Sequence, residues 1–258
     1  MGEMVGTVAT LSRFPVKSMQ GERLERVEVA HNGLVGDRAY ALVETDTGTV
    51  MSAKNPRVGA QLFACRSEFI AGPEPGGDPP PVRIVLPDGT SVTSDARGVD
   101  TTLSAYLGCD ATLQRSTSDG IPSPVATGPF VDAFPVSVLT TSTLARLQSL
   151  RPESRFDERR FRMNVVVETS EDGFVENEWI GRSLQIGEAV RLTIVLSDPR
   201  CVMTTLAQDD LPKDTEILRT VARHNHLEVA GDLHPCAGVY AVVDAGGPAT
   251  IGDRASFV

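Results

Sequence analysis

The chain has no surplus of positive charge. It carries 24 Lys and Arg residues against 34 Asp and Glu residues, for a formal net charge of −10 at pH 7. Proteins that coat nucleic acid or dock on anionic membranes need excess cations, so this balance argues against both partners. No apolar run approaches the roughly 20 residues that span a bilayer, and the first residues lack a secretory-signal pattern. We therefore expect a cytoplasmic protein that binds neither nucleic acid nor membrane.

Cysteine is scarce and scattered. The four cysteines are Cys65, Cys109, Cys201 and Cys236, and none of them belongs to a CxxC pair. A zinc site or iron–sulfur cluster built from local cysteine pairs is therefore not expected. The sequence also lacks the Walker, GxSxG and HExxH motifs. Free thiols in a reducing compartment are the simplest interpretation.

The sequence is rich in short strand-like segments. Hydrophobic residues make up 41% and charged residues 22%, which is typical of a globular protein. Turn signals between the segments favour barrels or sandwiches over βαβ units. The predicted strands are 4–11, 24–30, 38–44, 49–52, 82–86, 90–93, 164–167, 184–186, 190–196 and 239–243. Helical spacing predicts three helices, at 101–107, 141–150 and 215–224, so the fold class is mainly β with a few helices, α+β.

Two segments rich in Pro, Gly and Ser interrupt these elements. Residues 72–81 (GPEPGGDPPP) contain no core residue, which predicts an exposed loop. Residues 116–129 (STSDGIPSPVATGP) separate two strand-rich halves and are a candidate domain boundary.

Basic residues near predicted turns are the first candidates for chemistry. Lys17 and Ser18, in FPVKS, can hold an oxyanion through a charge and a hydroxyl, although a solvated turn lysine fits as well. Asp37 and Arg38 follow a glycine-bracketed turn. As neighbours on a strand they should point to opposite faces and form no useful ion pair, so one of them is expected to point inward. A turn with a pair at the surface is the alternative. Arg162 leads into an apolar strand and needs an anionic partner, either a ligand or a carboxylate.

Cys201 is the candidate nucleophile or soft metal ligand. It lies beside Arg200 at a strand end among hydroxyl residues, where a thiolate could be stabilised; an inert buried cysteine is the alternative. The charged run 157–160 (DERR) is interpreted as a solvated face. The segments 224–226 (HNH) and 234–236 (HPC) are interpreted as structural, because neither has a second half of a metal site nearby.

In this order, the motifs resemble the MOSC family, whose members are similar to the C-terminal domain of molybdenum-cofactor sulfurases. The resemblance spans nearly the whole chain. It is carried by FPVKSMQGERL, GLVGDRAYALVE and SAKNPRV in the first half, and by FRMNVVV, LSDPRCVMTT, EILRTVARHN and CAGVYAVV in the second. It implies a MOSC N-terminal β-barrel module over 1–115 and a MOSC domain over 116–258. These are two strand-rich, barrel-like modules with a cofactor cleft between them.

The resemblance also implies a site for the molybdenum cofactor, a molybdopterin that holds molybdenum through a dithiolene and carries a phosphate. Cys201 matches the cysteine that completes the metal's sulfur ligation in relatives resembling amidoxime-reducing enzymes, and it would be both catalytic and metal-ligating. The positions that match cofactor contacts are Lys17, Ser18, Arg38, Arg162, Asn164 and Arg200, and less securely Thr140, Thr143 and Tyr240. The residue chemistry agrees with this assignment, because molybdenum favours a soft thiolate ligand and a phosphate favours cationic hydrogen-bond donors.

The activity that the resemblance favours is an oxidoreductase. It would reduce small N-oxygenated compounds at a Cys201-ligated molybdenum, with electrons from a separate ferredoxin-, flavin- or cytochrome-type protein. Three alternatives stay open: a sulfur carrier or sulfurtransferase with a Cys201 persulfide, a cofactor carrier, and an enzyme that forms or cleaves C–S bonds. Residues 205–212 depart from the pattern of amidoxime-reducing relatives, so the substrate is open. No pyridoxal-dependent desulfurase domain is expected, and pyridoxal phosphate is associated only with the family at large.

Overall fold

A computed structural model describes residues 2–55, 57–116 and 130–258. The described residues are mainly β, with four α-helices. The strands are β1 (Glu3–Arg13), β2 (Glu22–Leu24), β3 (Arg26–Ala30), β4 (Gly33–Leu34), β5 (Tyr40–Glu44), β6 (Arg66–Phe69), β7 (Val82–Val85), β8 (Ser91–Thr93), β9 (Ala111–Arg115), β10 (Val136–Thr140), β11 (Val165–Glu168), β12 (Ser183–Ile186), β13 (Val190–Pro199), β14 (His226–Val229), β15 (Asp232–Ala245), β16 (Gly247–Thr250) and β17 (Arg254–Phe257). The helices are α1 (Gly59–Ala64), α2 (Val99–Leu107), α3 (Thr141–Leu150) and α4 (Glu216–His224).

Seven strands close into a barrel in the order β10-β11-β1-β17-β12-β13-β15, and β15 pairs back to β10. Every neighbouring pair in the ring is antiparallel except β10–β11. Inward-facing apolar side chains fill it, among them Val8, Leu11, Val138, Val167 and Leu192. Burying these alternating β-branched and leucine side chains is what stabilises the ring.

The first half of the chain builds a second core from small sheets and helices. Strand β5 pairs with β9, and β6, β7 and β8 form a three-stranded sheet. These strands and helices α1 and α2 bury Leu42, Leu62, Ile84 and Leu103. The predicted α+β class with barrel-like, strand-rich modules is therefore confirmed. The predicted boundary lies almost entirely outside the described residues and stays a prediction.

The register of the ring brings several chain segments to one rim of the barrel. Leu11 is opposite Val165, Val165 is beside Val138, and Val138 is opposite Val239. One residue further toward this rim lie Ser12, Asn164, Ser137 and Tyr240. The loops that follow β1 and precede β11 therefore meet at this rim.

Several predicted elements need correction. Residues 24–30 form two strands, β2 and β3, interrupted at Glu25. The predicted strands 38–44 and 49–52 share only a single bridge, between Val43 and Val50, because β5 takes β9 as its partner. Helix α2 begins at Val99, two residues before the predicted start, with Gly98 as its N-cap. Helix α1 is short and was not predicted, because its six residues offer less than two turns of periodicity.

Candidate functional site

Three guanidinium groups converge at the rim of the barrel. Arg38 Nη2 donates to the backbone oxygen of Arg162 at 3.4 Å, and Arg200 Nη2 donates to that of Phe161 at 2.5 Å. All three arginines line a cleft that is open to solvent. The other lining residues are Val131, Asp132, Phe134, Ser137, Phe161, Asn164, Asp198, Met203 and Tyr240. The predicted residues Arg38, Arg162, Asn164, Arg200 and Tyr240 are thus brought together.

Arg38 is held in the cleft by Asp37. Arg38 has a left-handed backbone (φ +50°), so it lies in a turn and not on the strand, which begins at Tyr40. This turn lets the neighbouring side chains meet, and Arg38 Nη1 donates to Asp37 Oδ2. The prediction that they form no ion pair is wrong for this reason. The Asp37 side chain is 2% exposed and also accepts the Phe14 amide at 2.8 Å.

Lys17 lies beside this arginine. Its Nζ donates to the backbone oxygen of Phe130 at 2.9 Å and forms an ion pair with Asp132, which Lys54 also contacts at 3.1 Å. Burial lowers the pKa of Lys17, although Asp132 acts in the opposite sense. The pKa of Asp132 lies well below its usual range, because the two lysines outweigh the effect of its burial. The pair is therefore ionised, and its Asp132 member lines the cleft.

Arg162 has no carboxylate partner within 4 Å among the described residues. Its Nη1 donates to the backbone oxygen of Met19 at 2.6 Å, and its guanidinium lies 4.1 Å from the centre of the Phe14 ring. The residue is only 4% exposed. Burial, with repulsion from Arg38, lowers the pKa of Arg162 to about 9. A buried cation of this kind is suited to an anionic ligand.

Arg200 and Asp198 form a buried ion pair that is incompletely satisfied. Arg200 Nη1 donates to Asp198 Oδ2, while Arg200 Nε has no hydrogen-bond partner among the described residues. Burial raises the pKa of Asp198. Burial and the adjacent Asp198 raise the pKa of Tyr240, whose ring lies 5.7 Å from that of Phe134. The Tyr240 phenol therefore keeps its proton at neutral pH.

Cys201 lies two residues after the end of β13 and is the N-cap of a 3₁₀ turn, Val202–Thr205. It is half-buried, and its neighbours Arg200 and Met203 both line the cleft. Across residues 2–55, 57–116 and 130–258, no group of three or more His, Cys, Asp and Glu side chains is placed to hold a metal ion. A metal at Cys201 would therefore take its remaining ligands from a bound molecule. All four cysteines are free thiols, as predicted.

The structure places three other predicted residues in structural roles. Ser18 Oγ accepts the Ala53 amide at 2.9 Å. Thr140 and Thr143 are fully buried, and both hydroxyls donate to the carboxylate of Glu176 at 2.7 Å. Asn164 is both structural and at the cleft: Oδ1 accepts from the Ser137 amide at 3.1 Å, and Nδ2 donates to the backbone oxygen of Ser12 at 3.3 Å.

Glu176 carries a prediction of its own. It is fully buried without a cation, so burial raises its pKa. A raised pKa in the folded state means that stability is greatest below the unfolded pKa and is lost as pH rises through the folded pKa. Glu176→Gln is therefore expected to raise the free energy of unfolding at pH 7.5 by on the order of 1 kcal/mol. Urea denaturation from pH 7.5 down to 4.5 checks this, and an advantage that does not shrink toward pH 4.5 would contradict it.

Sequence reasoning missed several residues of the site. The carboxylates Asp132 and Asp198 hold Lys17 and Arg200, although only Asp198 lies within a motif that was singled out. The prediction that 157–160 form a solvated face is wrong for Arg160, which is fully buried. A run of charges gives no signal for the one member that points inward.

Comparison with known proteins identifies the family. Residues 5–114 match the model of the MOSC N-terminal beta barrel domain, and residues 126–256 match that of the MOSC domain. The chain belongs to the MOSC family. This confirms the resemblance drawn from the sequence motifs.

Relatives of this MOSC protein include mitochondrial amidoxime reducing component 2. The chain is 26% identical to the Rattus norvegicus protein over 97% of its own length and 83% of the relative's. It is 26% identical to the Homo sapiens protein, with the same coverage of both chains. Their names describe components that reduce amidoximes. The relatives are named as mitochondrial, so the cytoplasmic location expected for this chain stays a prediction. No helix in the described part of the chain is long and apolar enough to cross a membrane.

Solved structures were also matched. The YuaD protein from Bacillus subtilis is 11% identical, covering 99% of this chain and 97% of its own, with a TM-score of 0.49. YiiM from Geobacillus stearothermophilus is 18% identical, covering 48% of this chain and 54% of its own, with a TM-score of 0.31.

Proposed function

We propose that this MOSC protein is a molybdenum-cofactor-binding oxidoreductase that reduces small N-oxygenated compounds. Cys201 would ligate the metal, and a separate redox protein would supply the electrons. The observation that carries the proposal is the convergence of Arg38, Arg162 and Arg200 on one cleft, with Lys17 paired to its Asp132 and Cys201 next in the chain to Arg200. The amidoxime-reducing relatives support the substrate class.

The cleft suits the anionic part of the cofactor. Lys17, Arg38 and Arg200 each pair with a carboxylate, which leaves the Arg162 cation without one among the described residues. Repulsion between Arg162 and Arg38 would be relieved by a bound phosphate. Arg200 Nε, which has no partner among the described residues, would be a further donor for such a ligand.

Cys201 suits the metal. The cofactor, when bound, supplies the molybdenum, its dithiolene ligation and the two-electron chemistry. A thiolate is the soft ligand that this centre favours. Tyr240 Oη, protonated through neutral pH, can donate a hydrogen bond to a substrate oxygen. The chain's own part is thus to bind, orient and supply a polar hydrogen.

A sulfur carrier is the second candidate. The half-exposed position of Cys201 supports it, since Val202 beside it is 48% exposed and an incoming sulfur donor could reach the loop. In that case Cys201 would carry a persulfide and hold no metal. A cofactor carrier, which would retain molybdenum without turnover, is the third reading.

Metal analysis together with turnover distinguishes these candidates. The protein would be produced in cells that supply the cofactor, desalted, and assayed for molybdenum per chain and for reduction of a small amidoxime by a reduced viologen dye. We expect near-stoichiometric molybdenum and turnover. No molybdenum, with one extra sulfur on the Cys201 peptide in mass spectrometry, would replace the oxidoreductase with the sulfur carrier. Molybdenum without turnover would favour the cofactor carrier.

A further inference from the structure

Arg160 is a buried arginine whose hydrogen bonds all go to backbone oxygens. It is fully buried in the 3₁₀ turn Glu158–Arg160. Nε donates to Arg155 O at 2.9 Å, and Nη2 donates to Pro212 O at 2.9 Å. Nη1 lies 3.4 Å from both Thr204 O and Leu206 O. No carboxylate within 4 Å accepts from it among the described residues.

Three of these four acceptors belong to the loop that begins at Cys201. Thr204 lies in the 3₁₀ turn opened by Cys201, Leu206 follows that turn, and Pro212 lies near the far end of the loop. The other backbone bonds of this segment stay within it, such as that from the Asp214 amide to Thr205 O at 2.9 Å. One planar guanidinium therefore joins both ends of the loop.

The loop's outer contacts are weaker constraints. Asp210 pairs with Arg155 at 2.5 Å and with Arg159 at 2.9 Å, and Asp209 pairs with Arg66. Exposed ion pairs of this kind contribute little to stability, because water screens them. Hydrogen bonds from a buried charged donor contribute more, and leaving their acceptors unpaired is costly. Arg160 is thus the stronger restraint on the loop.

We propose that Arg160 is a positioning residue that fixes the loop 201–212, and through it the Cys201 thiol. The proposal rests on the proposed function where it concerns the metal, because a thiol must be held in place to ligate one. In this role Arg160 also holds the conformation of the segment 205–212, where the sequence departs from the pattern of amidoxime-reducing relatives. Arg160 touches neither substrate nor cofactor in this role.

Arg160→Gln and Arg160→Lys test the proposal on the cofactor-free chain. Amide hydrogen exchange would be followed at Leu206, Gln208 and Leu211, and alkylation of Cys201 by iodoacetamide would be followed by peptide mass spectrometry. With Arg160→Gln we expect both rates to rise at least about tenfold, because the loop opens locally while the barrel strands keep their protection. Lysine, with three donors on one point charge, is expected to restore part of the restraint.

Arg13→Gln is the matched control. Arg13 is also a buried arginine, but it donates to Val35 O at 3.1 Å and pairs with Glu22 at 2.7 Å, far along the chain from the loop. It is expected to lower global stability without selective exchange in 201–212. Loop exchange and Cys201 alkylation that both stay at the wild-type rates in Arg160→Gln would overturn the proposal. If that variant does not fold, wild-type rates for both in Arg160→Lys would overturn it.

A second readout separates this inference from the proposed function. In protein loaded with cofactor, Arg160→Lys is expected to lose molybdenum faster than wild type. If wild type itself holds no molybdenum, the proposed function fails while the loop result stands. If the loop is released but molybdenum retention is unchanged, the positioning role toward the metal is overturned and the proposed function stands.

Discussion

Serine in place of Cys201 is expected to lower molybdenum-dependent reduction by more than about 100-fold. Changing a residue that only hydrogen-bonds to a metal ligand already lowers activity by about 10- to 100-fold. Cys201 would be the ligand itself, so a larger loss of activity is expected. A serine oxygen is a hard donor and a poor match for a centre that favours thiolate. The measurement is turnover of a small amidoxime per molybdenum, with molybdenum content determined on the same sample.

The fold is expected to tolerate this change. Cys201 is half-buried, and the hydrogen bond from Thr204 Oγ1 at 3.0 Å goes to its backbone oxygen, which serine keeps. The free energy of unfolding should therefore stay within about 0.5 kcal/mol of wild type. Cys109→Ser is the matched control, since Cys109 is the other partly exposed cysteine. Wild-type turnover in Cys201→Ser would remove the ligand role, and equal losses in both variants would show a nonspecific effect.

Arg162→Met is expected to weaken cofactor retention by at least about 30-fold. Removing one partner of a buried, charged pair costs about 2–5 kcal/mol. The rate of molybdenum loss during dialysis measures it. The same variant is expected to leave the cofactor-free protein at least as stable as wild type, because Arg162 is buried without a carboxylate partner among the described residues and is repelled by Arg38. Methionine can pack against the same Phe14 ring.

The pH dependence gives the sign of this effect. The folded-state pKa of Arg162 is lowered to about 9, so above that pH the unfolded state binds more protons than the folded state. Stability from this group then rises with pH. The stability deficit of wild type relative to Arg162→Met should therefore shrink as pH increases past about 9.

Arg13→Met is the control for this prediction. Arg13 has a carboxylate partner, Glu22, so its loss should destabilise the cofactor-free protein and leave molybdenum retention unchanged. Denaturant titration of both variants compares the two arginines directly. The contrary result is a free energy of unfolding of cofactor-free Arg162→Met that falls below the wild-type value by as much as that of Arg13→Met. That result would mean that Arg162 is a structural residue and not a ligand-binding one.

Local patterns were enough to predict much of the fold. Helix α3 has the predicted bounds, Thr141–Leu150, because leucines at helical spacing lie between Thr140, whose hydroxyl accepts the Thr143 amide, and Pro152. Strands β1 and β13 were predicted from the alternation of apolar and polar residues, which places the apolar side chains on one face of a strand. Short elements such as α1 and β4 escaped prediction, because two to six residues carry too little periodicity.

The sequence by itself determined the mainly β class, the family resemblance, and the basic motifs around Cys201. It could not decide which charged residues meet. Asp37 pairs with Arg38 because a left-handed turn brings their side chains together, and Thr140 binds Glu176 across 36 residues. Arg160 reaches Pro212 across 52 residues. Such contacts depend on barrel closure and burial, and a buried charge must find its partner wherever the tertiary fold supplies one.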